Sequence, residues 1–203
     1  MTPAPHHSPV LTDRRGDWTQ TFLGVKFHQL DPRPEDIDIR DIAHALSHVA
    51  RFGGHTKPTV GYSVAQHCVL AARHVSPAAQ LAALLHDASE AYTGDVPRPL
   101  KRHMAFLLDG EVIPFKVVED RIQACVHERF NVVVTPEIEA EVKAIDESLL
   151  VTEARDLMSP LHPDWSLEWL KGRTPLESKV TPWSSLFAKS EFLREFRRLT
   201  TKS

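Results

Sequence analysis

Residues 84–101 read LLHDASEAYTGDVPRPLK, and no other stretch of the chain restricts its fold as strongly. An apolar run leads straight into His86-Asp87, Glu90 and Asp95 follow within about two helical turns, and Gly94, Pro97 and Pro99 end the helix. A helix that buries Leu81, Leu84 and Leu85 draws His86 and Asp87 inward with them. An unpaired buried carboxylate costs several kcal/mol, so something must compensate it. A neutral imidazole beside a carboxylate, both facing inward, suits a divalent cation better than it suits apolar packing. In continuous helical geometry His86 and Glu90 stand at i and i+4 and share a face, with Asp87 one residue round. His86 and Asp87 then reach one ion, and Glu90 overhangs its open side.

Other ligands must come from elsewhere, and composition limits what they are. The two cysteines, Cys68 and Cys125, are isolated and form no thiolate spacing; they read as small core residues in a reducing compartment. Twelve histidines in 203 residues leave imidazole and carboxylate as the available donors. A formal net charge of −3 gives no reason to expect a surface for a nucleic acid polymer, although a few local basic residues can hold a small anion. No apolar run approaches the roughly 18 residues of a membrane span, and no basic-then-apolar leader opens the sequence. The expectation is a cytoplasmic protein with no membrane partner and a single core-bearing domain.

Taken in order, residues 1–16 lack periodicity, and His6-His7 reads as part of a loose terminus, not a chelator. Residues 19–30 alternate around Phe22, Leu23, Val25 and Phe27, a short hairpin or extended arm that Asp31-Pro32-Arg33-Pro34 breaks. From Asp38, Ile39, Ile42, Ala43, Leu46, Val49 and Ala50 form one helical stripe that ends before Gly53-Gly54. His44 and His48 share a face of it without a third ligand nearby and are expected on the surface. Arg51 and Phe52 stand where this helix meets the glycines. A cation and an aromatic ring there suit a phosphate and a base, but a helix-end Arg and a core Phe are equally ordinary.

Ser63 is the expected N-cap of the next helix, with Val64, His67, Cys68, Ala71 and Val75 inside and His74 on the surface. Ser76-Pro77 stops it, and residues 78–91 read as one further helix. Phe106-Leu107-Leu108 and residues 115–130 look helical, the latter with Val117, Val118, Ile122, Cys125, Val126 and Phe130 inward. A helix from Pro136 through Met158 presents Val142, Ile145, Leu149, Leu150 and Ala154 to the core, with Asp146 on the edge and Lys143 one turn before it. That couple is either a surface i,i+3 ion pair or a metal-ligating carboxylate beside a phosphate-binding lysine. The last residues, 159–203, become helical at Phe187, Phe192, Leu193, Phe196 and Leu199, with Arg194, Arg197, Arg198 and Lys202 opposite. That helix is expected to dock on the domain or on another subunit.

The inward polar residues are therefore His67, His86-Asp87 and Asp146, on three separate helices. Two imidazoles and two carboxylates fill four positions of a divalent ion and leave room for water and substrate. A mixed N/O set of this kind accepts Co, Mn, Zn, Mg, Ni or Fe.

In this order the residues resemble the H…HD…D signature of the HD-domain phosphohydrolases. HDASEAYTGDVPRPLK is similar to their 5′-deoxynucleotidase branch and its phage-encoded relatives. The likeness covers residues 38–158, and HDxxE followed by GDVPxPxK is its specific part. It implies an all-α HD-domain helical bundle: an N-terminal arm (1–37), the HD core (38–158) and a C-terminal extension (159–203) with an amphipathic helix packing on the core or a neighbouring subunit, in a homo-oligomer. His67, His86, Asp87 and Asp146 would hold the metal; Glu90 and Asp95 would position or activate water, or hold a second ion. Arg51, Lys101 and Lys143 would touch phosphate, with Phe52 near the sugar or base. Phe52 stands where the bacterial nucleotidases have Trp, which removes an indole N–H.

The implied activity is metal-dependent hydrolysis of the 5′ phosphate ester of a deoxynucleotide. The products would be nucleoside and phosphate from a dNMP, or nucleoside and triphosphate from a dNTP such as dATP. An HD-fold di-iron oxygenase, whose sites use further His ligands, and a non-catalytic nucleotide-binding module are the alternatives. No GxSxG, Walker loop, HExxH or dinucleotide fingerprint supports another enzyme template.

Overall fold

In a computed structural model, residues 14–164 and 172–201 are described. His6-His7 and Lys202 lie outside the described residues. The chain is mostly helical, with two small antiparallel hairpins.

The first hairpin pairs β1 (Thr19–Gln20) with β2 (Lys26–Phe27), and Phe27 enters the main core. Helix α1 (Ile39–His48) begins at Asp38, whose side chain accepts from the Arg40 N–H. It ends at His48, two residues short of the expected stripe, because Val49 and Ala50 leave the helix to pair with the start of the next one. Ala50 bridges to Ser63, and the Val64 N–H donates to Val49 O at 3.0 Å. His44 is half-buried and His48 exposed.

Helix α2 (Val64–Arg73) is capped by Ser63, whose hydroxyl accepts from the Gln66 N–H. His67 and Cys68 are fully buried on it. The helix expected over residues 78–91 is interrupted. Helix α3 (Gln80–Leu85) and α4 (Glu90–Thr93) are separated by His86–Ser89, where Ala88, Glu90, Ala91 and Tyr92 donate to the carbonyl three residues back instead of four. Tightening to a three-residue repeat sets Asp87, not His86, in line with Glu90.

Gly94 (φ 78°) turns the chain into α5 (Arg98–Lys101). Phe106-Leu107-Leu108 is not helical: β3 (Ala105–Leu108) pairs with β4 (Glu111–Pro114) across an Asp109-Gly110 turn with φ of 53° and 81°. Two consecutive positive φ values match the right-handed twist of a hairpin, and Asp-Gly tolerates them. That local turn outweighed the apolar run. Helix α6 (Phe115–Phe130) buries Phe115, Val118, Ile122 and Val126 but leaves Val117 exposed.

Helix α7 (Pro136–Leu157) starts at Thr135, whose hydroxyl accepts from the Ile138 N–H. Helix α8 (Ser185–Thr200) packs on α1, α2 and α3, contributing Ala188 and Phe192 to the core that also holds Phe27, Cys68, Leu84, Leu85 and Leu149. Phe187, expected on its inner stripe, is half-exposed. Glu191 and Glu195 are buried instead, where both accept from Arg73 of α2 at 2.7–2.9 Å. Cys68 and Cys125 are free thiols. Among the described residues no helix is long and apolar enough to cross a membrane.

Candidate metal centre

The bridge between Ala50 and Ser63 sets the site's position, because it brings Arg51 beside Tyr62 and starts α2 at the depth that buries His67. The Arg51 N–H donates to Tyr62 O at 2.9 Å. Phe52 and Gly53 then take the left-handed conformation (φ 57° and 58°), reversing the chain immediately after Arg51. A non-glycine residue there carries strain of about 1 kcal/mol, a feature that gathers at functional sites. The guanidinium turns inward, and Phe52 stays half-buried with its ring centroid 5.7 Å from the guanidinium carbon.

His86 lies at the end of α3, where its Nδ1 is 2.8 Å from Ala83 O. A carbonyl only accepts, so Nδ1 carries the proton and Nε2 is left as a lone pair. His67 repeats the pattern with a carboxylate: its Nδ1 is 2.6 Å from Glu153 Oε1. The two free Nε2 atoms face each other at 3.2 Å. Two lone pairs at that distance repel unless a cation or a proton lies between them.

Both carboxylates close on the same point. Asp87 Oδ2 is 3.2 Å from His86 Nε2 and 3.7 Å from His67 Nε2, and Asp146 Oδ1 is 3.2 Å from His67 Nε2 and 4.0 Å from His86 Nε2. Ligands about 2.1 Å from one ion stand ~3.0 Å apart at right angles and ~3.4 Å apart at tetrahedral angles. The separations within His67, His86 and Asp87 fit a shared ion, and these three form a group able to hold one, with Asp146 beside it against His67. Side-chain exposure rises from 0% at His67 through 13% at His86 and 22% at Asp87 to 34% at Asp146, so the solvent side of the site is the carboxylate side.

No protein-family model matches the chain. It is 40% identical over 139 residues to the Escherichia coli K12 protein YfdR, a match spanning 68% of this chain and 71% of that protein. The chain belongs to the YfdR family. A Rhodobacter capsulatus protein is 38% identical over 149 residues, 69% of this chain and 72% of its own length. Both relatives bear the name uncharacterised protein, which states no activity.

In this member of the YfdR family the ligand cluster is polarised. Burial works against the Asp87 carboxylate, yet His86, His67 and Arg51 hold it far below the usual carboxylate range. Burial also opposes the Asp146 carboxylate, which the hydrogen bond and charge of His67 bring down to about 2. Both imidazoles rise above their ordinary value despite burial, His67 chiefly through Glu153 and His86 through Asp87. Glu90 behaves oppositely: burial first, then the charges of Asp87 and Asp95, push it up to about 10. Its Oε2 is buried without a hydrogen-bond partner. Asp95 is raised as well, by burial and by Asp87, with Arg51 opposing.

The basic residues divide. Arg51 is buried, with Nε 3.1 Å from Glu153 Oε2 and its terminal nitrogens 3.4 Å from Asp87 Oδ2 and 3.9 Å from Asp146 Oδ1. It is the internal counter-charge of the cluster. Lys101 is ion-paired to Glu119 of α6 and lies near Glu90. Lys143 is exposed on α7 and forms no ion pair with Asp146 among the described residues; Asp146 turns to His67 instead.

Glu153, Tyr62 and Glu119 were not singled out by the sequence reading. Glu153 stands seven residues after Asp146, on the same helical face, and that spacing was its available signal. Beside the Arg51–Gly54 turn, an open groove of about 590 Å³ runs past His55, Lys57 and the end of α7 at Met158.

Proposed function

We propose that this protein is an HD-type, metal-dependent phosphohydrolase that cleaves the 5′ phosphate ester of deoxynucleotides, releasing nucleoside with phosphate from a dNMP or with triphosphate from a dNTP. The observation that carries this reading is the convergence of His67 Nε2, His86 Nε2, Asp87 Oδ2 and Asp146 Oδ1, each imidazole having its Nδ1 engaged on the far side. Such donors are compatible with Co, Mn, Zn, Mg, Ni or Fe. A divalent ion bound there supplies Lewis acidity to a phosphoryl oxygen and to water.

The chain's own groups do the rest. Arg51, held between Glu153 and the two aspartates, offsets negative charge beside the ligands and limits the repulsion an entering phosphate meets. Lys101 adds a second cation at the Glu90 side. Burial and the charges of Asp87 and Asp95 favour the protonated form of Glu90 against the opposing cations Arg51 and Lys101, and Oε2 is the atom with capacity to exchange the proton. With a divalent ion held by the neighbouring ligands, Glu90 would lose affinity for its proton and, with Asp95 beside it, would take the proton of the attacking water. No covalent nucleophile is needed, and in-line attack on phosphorus leaves the nucleoside side as an alcohol.

The test is a panel of dNMPs and dNTPs with Co, Mn, Zn and Mg, reading phosphate against triphosphate. Hydrolysis that Asp87→Ala abolishes is the expected result. Metal-loaded protein that hydrolyses none of the panel, or Asp87→Ala that keeps full activity, defeats the reading.

A further inference from the structure

We propose that Glu153 is the positioning residue of the metal centre: by accepting the Nδ1 proton of His67 it presents Nε2 to the ion, and by holding Arg51 it fixes the counter-charge beside Asp87 and Asp146. The inference rests on the reading that His67, His86, Asp87 and Asp146 hold a divalent ion.

Glu153 is fully buried, where a carboxylate is tolerated only with strong donors around it. It has three, from three separate segments. Tyr62 Oη donates to Oε1 at 2.7 Å, His67 Nδ1 donates to the same oxygen at 2.6 Å, and Arg51 Nε donates to Oε2 at 3.1 Å. Tyr62 and Arg51 thus pin both oxygens, so the carboxylate cannot swing away from the imidazole. The consequence for His67 is a single tautomer. With Nδ1–H donated backward, Nε2 is an acceptor directed at the point that His86, Asp87 and Asp146 also face. A carboxylate behind a histidine also makes the imidazole a stronger donor to a metal. His86 has only the neutral Ala83 carbonyl in that role, so the two imidazole ligands are held by different partners.

A merely structural Glu153 would link Tyr62, α2 and α7 without influencing the ion. Glu153→Gln keeps the size and one acceptor but removes the charge. Isothermal titration with Zn(II), and the visible absorption of the Co(II)-loaded protein, compare it with the wild type. The expected result is a metal affinity ~10–100-fold weaker with a shifted Co(II) band. An unchanged affinity and an unchanged band overturn the inference, while nucleotide hydrolysis by the wild type would still stand on its own. Wild-type protein that binds neither ion overturns the metal reading and this inference together. Should E153Q fail to fold, ¹⁵N imidazole spectra of the wild type with Zn(II) decide: a protonated Nδ1 and a metal-shifted Nε2 at His67 support the assignment, and the opposite tautomer refutes it.

Discussion

Lys101 Nζ lies 2.6 Å from Glu119 Oε1 and 4.0 Å from Glu90 Oε1, so the lysine that follows the GDVPRP turn is tied to α6 while leaning toward the site. Glu119 competes with any anion for this cation. Replacing Glu119 with Gln is expected to strengthen inorganic phosphate binding about threefold to fivefold, the equivalent of a partly buried pair worth ~1 kcal/mol. Phosphate inhibition or calorimetry reads the change. Adding Lys101→Ala to E119Q should erase the gain; a gain that survives would place the anion elsewhere.

Metal binding should stabilise the fold, since the proposed ligands come from α2, the end of α3 and α7. An ion at a hundred times its Kd contributes about 2.7 kcal/mol, which raises Tm by roughly 6–10 °C for a domain of this size. A chelator should reverse the shift. His67→Ala or Asp87→Ala should abolish it, and a shift that persists in both would put the ion at another site.

Arg51 touches three carboxylates from inside the protein. Arg51→Met leaves Glu153 with Tyr62 and His67 but removes the central cation, and breaking a buried pair of this kind costs about 3–5 kcal/mol. Urea unfolding of the metal-free protein measures it. The double variant R51M/E153Q should recover part of the loss, because the Glu153 charge is removed with its guanidinium while the amide oxygen still accepts from Tyr62 and His67. A single variant as stable as the wild type would show that the guanidinium is not the cluster's counter-charge.

Acid should loosen α8. Burial opposes the Glu195 carboxylate, but hydrogen bonds and charge from Arg198 and Arg73 hold it below its ordinary value. A group depressed in the folded state contributes stability above its unfolded value, near 4.5, and that contribution disappears as the pH falls through the folded value. Protection factors of the α8 amides, corrected for the intrinsic pH dependence of exchange, should therefore fall between about pH 5 and pH 3. Trp183, whose ring lies 5.7 Å from the Arg73 guanidinium, gives a fluorescence report of the same event. Glu195→Gln should flatten this part of the profile while leaving neutral-pH exchange slow; a profile identical to the wild type would assign the acid transition to other carboxylates.

Ser63 links local sequence to the centre, since it caps the helix that carries His67. Ser63→Ala is expected to lower stability by about 1 kcal/mol, read by thermal unfolding. Metal affinity measured well below Tm should change less than twofold. A large loss of affinity would mean that the cap also sets the depth of His67.

Much of the helical framework was legible because it depends on near neighbours. Asp38, Ser63 and Thr135 cap their helices with their own side chains, and the apolar stripes of α1, α2 and α7 repeat at helical spacing. The Asp109-Gly110 turn is equally local, but Phe106-Leu107-Leu108 also fits a helix, and a short apolar run has no period that separates the two.

The chain's order of residues by itself offers the donors of the proposed centre: two imidazoles and two carboxylates, without thiolate, each beside apolar residues that carry it inward. Only the tertiary structure decided how they are supported. Glu153 is 86 residues from His67 and 102 from Arg51, and a hydrogen bond over such separations leaves no local periodicity to read. The same holds for Lys101, whose partner Glu119 lies 18 residues away across a hairpin. The tightening at His86–Ser89 also belongs to packing, because α-helical and three-residue turns suit the same residues and only the surrounding core selects between them. Ligand chemistry is a property of side-chain type. Orientation, protonation and counter-charge arise from groups that meet only when the chain is folded.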